Sequence, residues 1–122
     1  MGFHPINLII RFLLELTALV AMGFWGWQLG DGILQFFGAL VVPIAAAAVW
    51  GAFAVPGDAS RSGSAPIAVS GVLRLGIEVT FFAFAARALY ETGGTSLGLI
   101  FGAAVVVHYA LSYDRIAWLL RA

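Results

Sequence analysis

Two arginine–glutamate pairs are the residues in this sequence whose types and spacing best suit chemistry. Arg11 and Glu15 are four residues apart, and so are Arg74 and Glu78. In a helix, that spacing puts the two members of each pair on one face, one turn from each other. A guanidinium and a carboxylate placed in this way can form a structural ion pair, or a polar site for a proton or a ligand.

The composition around these pairs predicts a membrane protein. Of the 122 residues, 62% are hydrophobic and 10% are charged, and the mean hydropathy is +1.02. A soluble domain is about half apolar and about a quarter charged, so this chain has too little polar surface to cover a globule in water. The formal net charge is zero and there is no lysine, so no basic stripe exists and we expect no nucleic-acid partner. The absence of cysteine excludes disulfides and thiolate metal sites.

Four apolar stretches are long enough to cross a bilayer, which takes roughly 20 residues in a helix. Glycine-containing turns separate the first two and the last two, and a Ser- and Gly-rich loop at 57–66 lies between the second and third. Short connections make consecutive helices antiparallel neighbours, so we predict a single all-α domain over 1–122, an integral membrane four-helix bundle. The predicted helices and interfacial tail are 6–29, 33–55, 67–90, 96–113 and 114–122.

An even number of spans puts both termini and the middle loop on one side of the membrane. That side carries Arg61, Arg115 and Arg121, whereas Arg87 is at the opposite side. The positive-inside tendency therefore places both termini in the cytoplasm. The charge asymmetry is small, so a single or a dual topology is compatible with the sequence.

An internal repeat indicates how the two arginine–glutamate pairs are related. A shift of 63 positions aligns residues that are scarce in this chain: Arg11 with Arg74, Glu15 with Glu78, Thr17 with Thr80, and Gly30 with Gly93. Coincident charged residues are harder to obtain by chance than coincident Leu or Val. The repeat predicts two helical hairpins related by a pseudo-two-fold axis along the membrane normal.

The repeat brings the four charged groups to one level of the bundle. Glu15 is about ten residues from the start of its helix, which is roughly 15 Å at 1.5 Å per residue. A charge at that depth costs about 2.5–3.5 kcal/mol or more, so each carboxylate should be paired. We predict that Arg11 reaches Glu78 and that Arg74 reaches Glu15, which closes a four-charge ring across the bundle axis.

This buried polar cluster has two interpretations. Paired charges inside a bundle can fix register and partner choice, or they can bind a proton or a ligand. Asn7, His108 and Tyr109 are predicted at a similar depth and are additional candidate members, with His108 either a packing residue or a relay. No residues have the spacing of a metal site, a nucleophile elbow or a phosphate loop, so we expect no catalytic residue, no metal and no cofactor.

Three sequence elements together resemble a known family. They are Asn7-x-x-x-Arg11-Phe12-x-x-Glu15-Leu16, Trp50-Gly51-x-Phe53-x-x-Pro56 and Arg74-x-x-x-Glu78. This pattern is similar to that of the YrdB-like group of small bacterial membrane proteins, a domain of unknown function, and the resemblance covers about residues 5 to 113. It implies a four-helix protein in the bacterial inner membrane whose activity is not established.

The sequence favours a non-enzymatic protein that acts as a structural or accessory component of a larger membrane assembly or of a homo-oligomer, with the lipid bilayer as its solvent. The alternative is a small transporter or channel that uses Glu15 and Glu78 as a proton- or ligand-binding site. In that case Arg11 would repel a cationic substrate, so an anion or a neutral amphiphile would suit the site better. A third hypothesis, a membrane enzyme or cofactor-binding subunit, depends on His108 alone.

Overall fold

Side-chain caps mark the first residues of two helices of this chain. Pro5 occupies the first turn of its helix, and the His4 side chain caps it by accepting a hydrogen bond from the Ile6 amide at 3.2 Å. Ser70 caps a later helix by accepting from the Leu73 amide at 3.2 Å. In the computed structural model, which describes residues 4–58 and 65–122, the elements are α1 (Pro5–Trp27), α2 (Ile33–Ala52), β1 (Phe53–Ala54), β2 (Ile67–Ala68), α3 (Gly71–Gly93), α4 (Thr95–Leu111) and α5 (Tyr113–Arg121). The predicted all-helical class is therefore confirmed.

The middle of the chain differs from the prediction. α2 ends at Ala52, before the predicted 55, and α3 begins at Gly71, after the predicted 67. Between them, β1 and β2 pair in parallel, with Phe53 opposite Ile67. These backbone groups are therefore satisfied by a short ladder instead of by extra helical turns. Residues 59–64 of the predicted loop, including Arg61, lie outside the described residues.

α1 and α3 form the centre of the described structure. α1 packs against α2 and α3, and α3 also packs against α4, whereas α2 and α3 approach each other only slightly. Small and aromatic side chains fill the contact: Leu14, Ala18, Met22, Phe81, Phe82, Ala85 and Phe101. α2 contributes no buried residue, so one side of it rests on α1 and the rest faces outward.

The tail after α4 folds back onto the protein. The chain bends by 70° between α4 and α5. α5 then crosses the start of α3 so closely that a Cβ atom at Gly71 would overlap the backbone carbonyl of Leu119. Leu119 and Arg115 are buried in this contact. The predicted interfacial tail is therefore a helix that packs against α3 on one face.

Two helices are long and apolar enough to cross a membrane, and there are three if α4 and α5 form one bent span. The two are α1 and α2, by length and composition among the described residues. α3 has the length, but it carries four charged side chains. Two of these, Arg74 and Glu78, point into the protein and are almost fully buried.

The crossing of α1 and α2 depends on two glycines, and it gives a first prediction. A Cβ at Gly26 would overlap the carbonyl oxygen of Gly38, so Gly26→Ala must push the helices apart. We expect a loss of about 1–3 kcal/mol in the free energy of unfolding, as for other overpacked contacts. Unfolding by SDS in mild detergent measures it. Gly102→Ala is the control, since a Cβ there meets no atom within 4 Å; equal stability of the two variants would contradict the prediction.

Candidate functional site

Glu78 is the centre of the buried charged cluster. It lies near the middle of α3, and its side chain is fully buried. One carboxylate oxygen accepts hydrogen bonds from Arg74 Nε and from Arg115 Nη2, each at 2.8 Å. The other oxygen accepts from Arg115 Nη1 at 2.9 Å and from the Tyr109 hydroxyl at 2.7 Å. Four donors occupy this carboxylate, which a carboxylate's four lone-pair positions just allow.

Arg74 links Glu78 to the end of α2. Its Nη1 donates to the carbonyl of Trp50 and, at 2.8 Å, to the carbonyl of Phe53. The last carbonyls of a helix have no partner within it, and an arginine side chain can satisfy them. The guanidinium also lies 4.3 Å from the centre of the Trp50 ring, within cation–π distance. These contacts hold Arg74 against the end of α2.

The predicted ring of four charges is present only in part. Arg11 Nη2 lies 3.0 Å from a Glu78 oxygen, so the predicted pair between α1 and α3 exists. Arg74, however, does not pair with Glu15, because its donors are used by Glu78 and by the end of α2. Glu15 instead faces Arg11, one turn away on its own helix, at 3.3 Å.

A third arginine, Arg115, also belongs to the cluster, although it was predicted to lie in an interfacial tail. Arg115 is 1% exposed and donates to Glu78 and, through Nη2 at 2.6 Å and Nε at 3.3 Å, to both Asp58 oxygens. Burial would lower the pKa of Arg115, but the hydrogen bonds and charges of the two carboxylates outweigh it and raise that pKa. Asp58 is therefore a buried partner and not part of an exposed loop. Alternation of charged and apolar residues in the tail gave no signal for an inward-facing arginine.

The three additional candidates also lie in the buried region. The side-chain amide nitrogen of Asn7 donates to the Ser112 hydroxyl at 2.8 Å, and the side-chain amide oxygen of Asn7 lies 3.1 Å from His108 Nδ1. The Ser112 hydroxyl donates to the His108 carbonyl at 2.7 Å. These bonds join the start of α1 to the bend between α4 and α5. Tyr109, by contrast, belongs directly to the Glu78 cluster.

An open groove of about 880 Å³ lies between α2 and α3. Its lining is apolar and includes Met22, Trp50, Phe81 and Phe84. Trp50 separates this groove from Arg74, since the arginine lies against the ring of that tryptophan. Within residues 4–58 and 65–122, no group of three His, Asp or Glu side chains is arranged to hold a metal ion.

Comparison with known proteins supports the resemblance seen in the sequence. A family model described as "Protein of unknown function (DUF2568)" matches residues 9–107. An uncharacterized protein, YrdB of Bacillus subtilis (strain 168), is 45% identical over 114 residues, which is 93% of each chain. No solved structure matches. These matches confirm the predicted YrdB-like resemblance, and the chain belongs to the DUF2568 family of proteins of unknown function.

Proposed function

We propose that this chain is an integral membrane protein with four spanning segments, arranged as two hairpins in the bacterial inner membrane with both termini in the cytoplasm. We further propose that it is a non-enzymatic structural or accessory component of a larger membrane assembly or of a homo-oligomer. In this proposal the buried charged cluster is the structural centre that fixes how the helices meet.

The distribution of polarity supports insertion into a membrane. The charged groups Arg11, Arg74 and Glu78 are buried, while large apolar side chains such as Ile44 and Val106 are more than half exposed. Lipid tolerates an apolar exterior and disfavours unpaired charge, which is the pattern here. Two of the four charged residues of α3 are buried and paired, and the other two, Arg87 and Glu91, lie in its last two turns, so the helix suits a span surrounded by other helices.

Two local equivalences support the two-hairpin arrangement. Thr17 and Thr80, which the 63-residue shift aligns, each donate to the carbonyl four residues earlier at 2.8 Å. Gly30 packs against Leu34 as Gly93 packs against Leu97. Equivalent positions of the proposed repeat therefore make equivalent contacts at both ends of the hairpins.

The observation that carries the structural role is the saturation of Glu78. Four aligned hydrogen bonds and a third arginine hold this carboxylate in its ionised form. A site that binds and releases protons needs a carboxylate with spare capacity and access to water. Glu78 has neither, so its role in this proposal is to hold α1, α3 and α5 in a fixed arrangement.

The lateral surface of α2 supports an accessory role. This helix buries none of its residues in the chain itself, and its outer face carries Leu40, Val41 and Ile44 in exposed positions. With a closed charged centre and little mass outside the proposed spans, lateral contact is the main means by which this protein can act on others.

Native purification tests the assembly role. We expect the full chain, extracted from its own membrane in mild detergent, to copurify with a second protein or to run as a homo-oligomer in native mass spectrometry. An unrelated tagged membrane protein from the same host is the control for background capture. A monomer that carries no other protein at near-native expression would contradict the assembly role and leave the charged centre unaffected.

One observation favours the alternative, a small transporter or channel. The Glu15 side chain is 21% exposed and forms an ion pair with Arg11, in contrast to the fully enclosed Glu78. In that function Glu15, and not Glu78, would exchange the proton. Glu15→Gln in proteoliposomes would then abolish flux while leaving the fold intact, whereas a purely structural protein would show no flux to lose.

A further inference from the structure

Arg11 differs from the other two buried arginines in its hydrogen bonding. It is 2% exposed, yet none of its three guanidinium nitrogens has an aligned hydrogen-bond partner among the described residues. Arg74 and Arg115, in contrast, each donate several well-formed bonds. A buried donor without a partner costs about 1–3 kcal/mol, and more for a charged group. Arg11 therefore retains capacity to bind an acceptor.

Glu78 cannot supply that acceptor. Its two oxygens already accept four hydrogen bonds, from Arg74, Arg115 and Tyr109. Arg11 Nη2 lies 3.0 Å from one of these oxygens and gains charge attraction there, but no aligned bond. The rings of Trp50 and Tyr109 lie 5.2 and 6.0 Å from the central carbon of the Arg11 guanidinium, and the neutral Tyr109 hydroxyl, which already donates to Glu78, also interacts with Arg11. Aromatic faces attract a cation without replacing an anionic acceptor.

Glu15 is the loosely held carboxylate of the cluster. A single ion pair of 3.3 Å to Arg11 Nε holds it, and this pair also lacks hydrogen-bond alignment. Its side chain is 21% exposed, whereas the side chains of Glu78 and Asp58 are fully buried. A glutamate in this position can take up a proton and rotate away without breaking any aligned hydrogen bond described in the structure.

The charge balance of the cluster determines what must follow. Among the residues that the structure describes, three arginines face three carboxylates: Arg11, Arg74 and Arg115, with Glu15, Asp58 and Glu78. Protonation of Glu15 leaves one uncompensated positive charge inside the protein, next to the guanidinium that already lacks an acceptor. Such a charge is costly in a low-dielectric interior unless an anion neutralises it.

We propose that Arg11 is a binding site for a small monovalent anion of carboxylate size, which takes the place of the Glu15 carboxylate when Glu15 takes up a proton. The proton binds to a Glu15 oxygen and the anion pairs with Arg11, so the pair enters with no change in net charge. Rotation of Glu15 away from Arg11 would vacate the space of one carboxylate group beside the guanidinium. This site goes beyond the structural role proposed above and does not depend on it.

Every packed element contributes to the surroundings of Glu15. α1 supplies Arg11 and α2 supplies the uncharged ring of Trp50. The titratable and charged groups from the other elements that act on this region are Arg74 and Glu78 of α3, His108 and Tyr109 of α4, and Arg115 of α5. Glu78 remains paired in every state, so proton uptake at Glu15 is the step that changes the net charge beside Arg11.

Formate, the smallest carboxylate, tests the site in the purified full-length protein. We expect formate to raise the thermal unfolding temperature of the wild type in mildly acidic buffer and not at alkaline pH, with one proton taken up per formate in calorimetry. Glu15→Gly should lower the unfolding temperature, and formate should restore it at both pH values. Gluconate at equal ionic strength, too large for the site, should restore nothing.

Two variants of Arg11 and one control variant test whether formate binds at this arginine. Arg11→Met should abolish the formate effect, and Arg11→Lys, which cannot make a forked pair, should weaken formate binding at least tenfold. Arg87→Met is the control and should respond to formate as the wild type does, since the Arg87 side chain is 71% exposed. A formate response that is absent from Glu15→Gly, or that is unchanged in the Arg11 variants, would overturn the proposal.

Discussion

Glu78→Gln should destabilise the protein by about 3–5 kcal/mol, the cost of removing one partner from a buried ion pair. The substitution preserves size but leaves Arg11, Arg74 and Arg115 with one uncompensated charge in the interior. Two of the bonds to Glu78 would also be lost, because an amide nitrogen replaces an acceptor with a donor. SDS unfolding in mild detergent, followed by circular dichroism, measures the change.

Glu91→Gln is the matched control for this prediction. Glu91 pairs with Arg87 at 2.8 Å with the same four-residue spacing, but both side chains are well exposed. Exposed pairs contribute little to stability, so this variant should unfold as the wild type does. Equal stability of Glu78→Gln and Glu91→Gln would contradict the central role of Glu78.

A double variant separates charge balance from the loss of hydrogen bonds. Adding Arg11→Met to Glu78→Gln returns the cluster to zero net charge and removes the arginine that makes no aligned bond. We therefore expect the double variant to be more stable than Glu78→Gln alone, which would be non-additive coupling between neighbours. A double variant that is less stable would show that the lost bonds to Glu78, or the lost ion pair between Arg11 and Glu15, outweigh the unbalanced charge.

Two features of the sequence predicted the charged centre. The four-residue spacing of each pair fixes its face of the helix, and the 63-residue shift relates the two pairs. Together they predicted the contact of Arg11 with Glu78, which the structure contains at 3.0 Å. Depth arguments also showed that these charges had to point inward, since they could not face lipid unpaired.

The same reasoning failed where the two halves are not equivalent. Arg74 follows the strand pair between α2 and α3, so the open carbonyls at the end of α2 lie within its reach and compete with Glu15. Arg11 follows no such helix end. The predicted symmetry required one geometry for both arginines, but only Arg74 has the end of another helix beside it.

The missed members, Asp58 and Arg115, could not be found from charge balance. Two arginines and two glutamates already gave a neutral cluster, so no further partner was required. Asp58 lies in a Ser- and Gly-rich segment that is typical of an exposed turn, and the alternation of the tail is typical of an interfacial helix. Their pairing depends on the 70° bend before α5, which no local pattern in the sequence predicts.

Arg115→Met should be nearly as destabilising as the loss of Glu78, at about 3–5 kcal/mol, because it removes one arginine from two buried carboxylates at once. The variant should also release α5 from Gly71 and the start of α3, so that amide hydrogen exchange accelerates in the tail while the middle of α1 stays protected. Arg121→Met, on the same helix but exposed, should leave both measurements unchanged.

Arg115→Lys keeps the positive charge but loses the forked guanidinium that reaches both Glu78 and Asp58. An intermediate loss of stability in this variant would show that hydrogen-bond geometry contributes beyond charge. If Arg115→Met leaves exchange in the tail unchanged, other contacts of α5, such as the packing of Leu119 on Gly71, hold the helix in place, and the arginine is not what joins the tail to the centre.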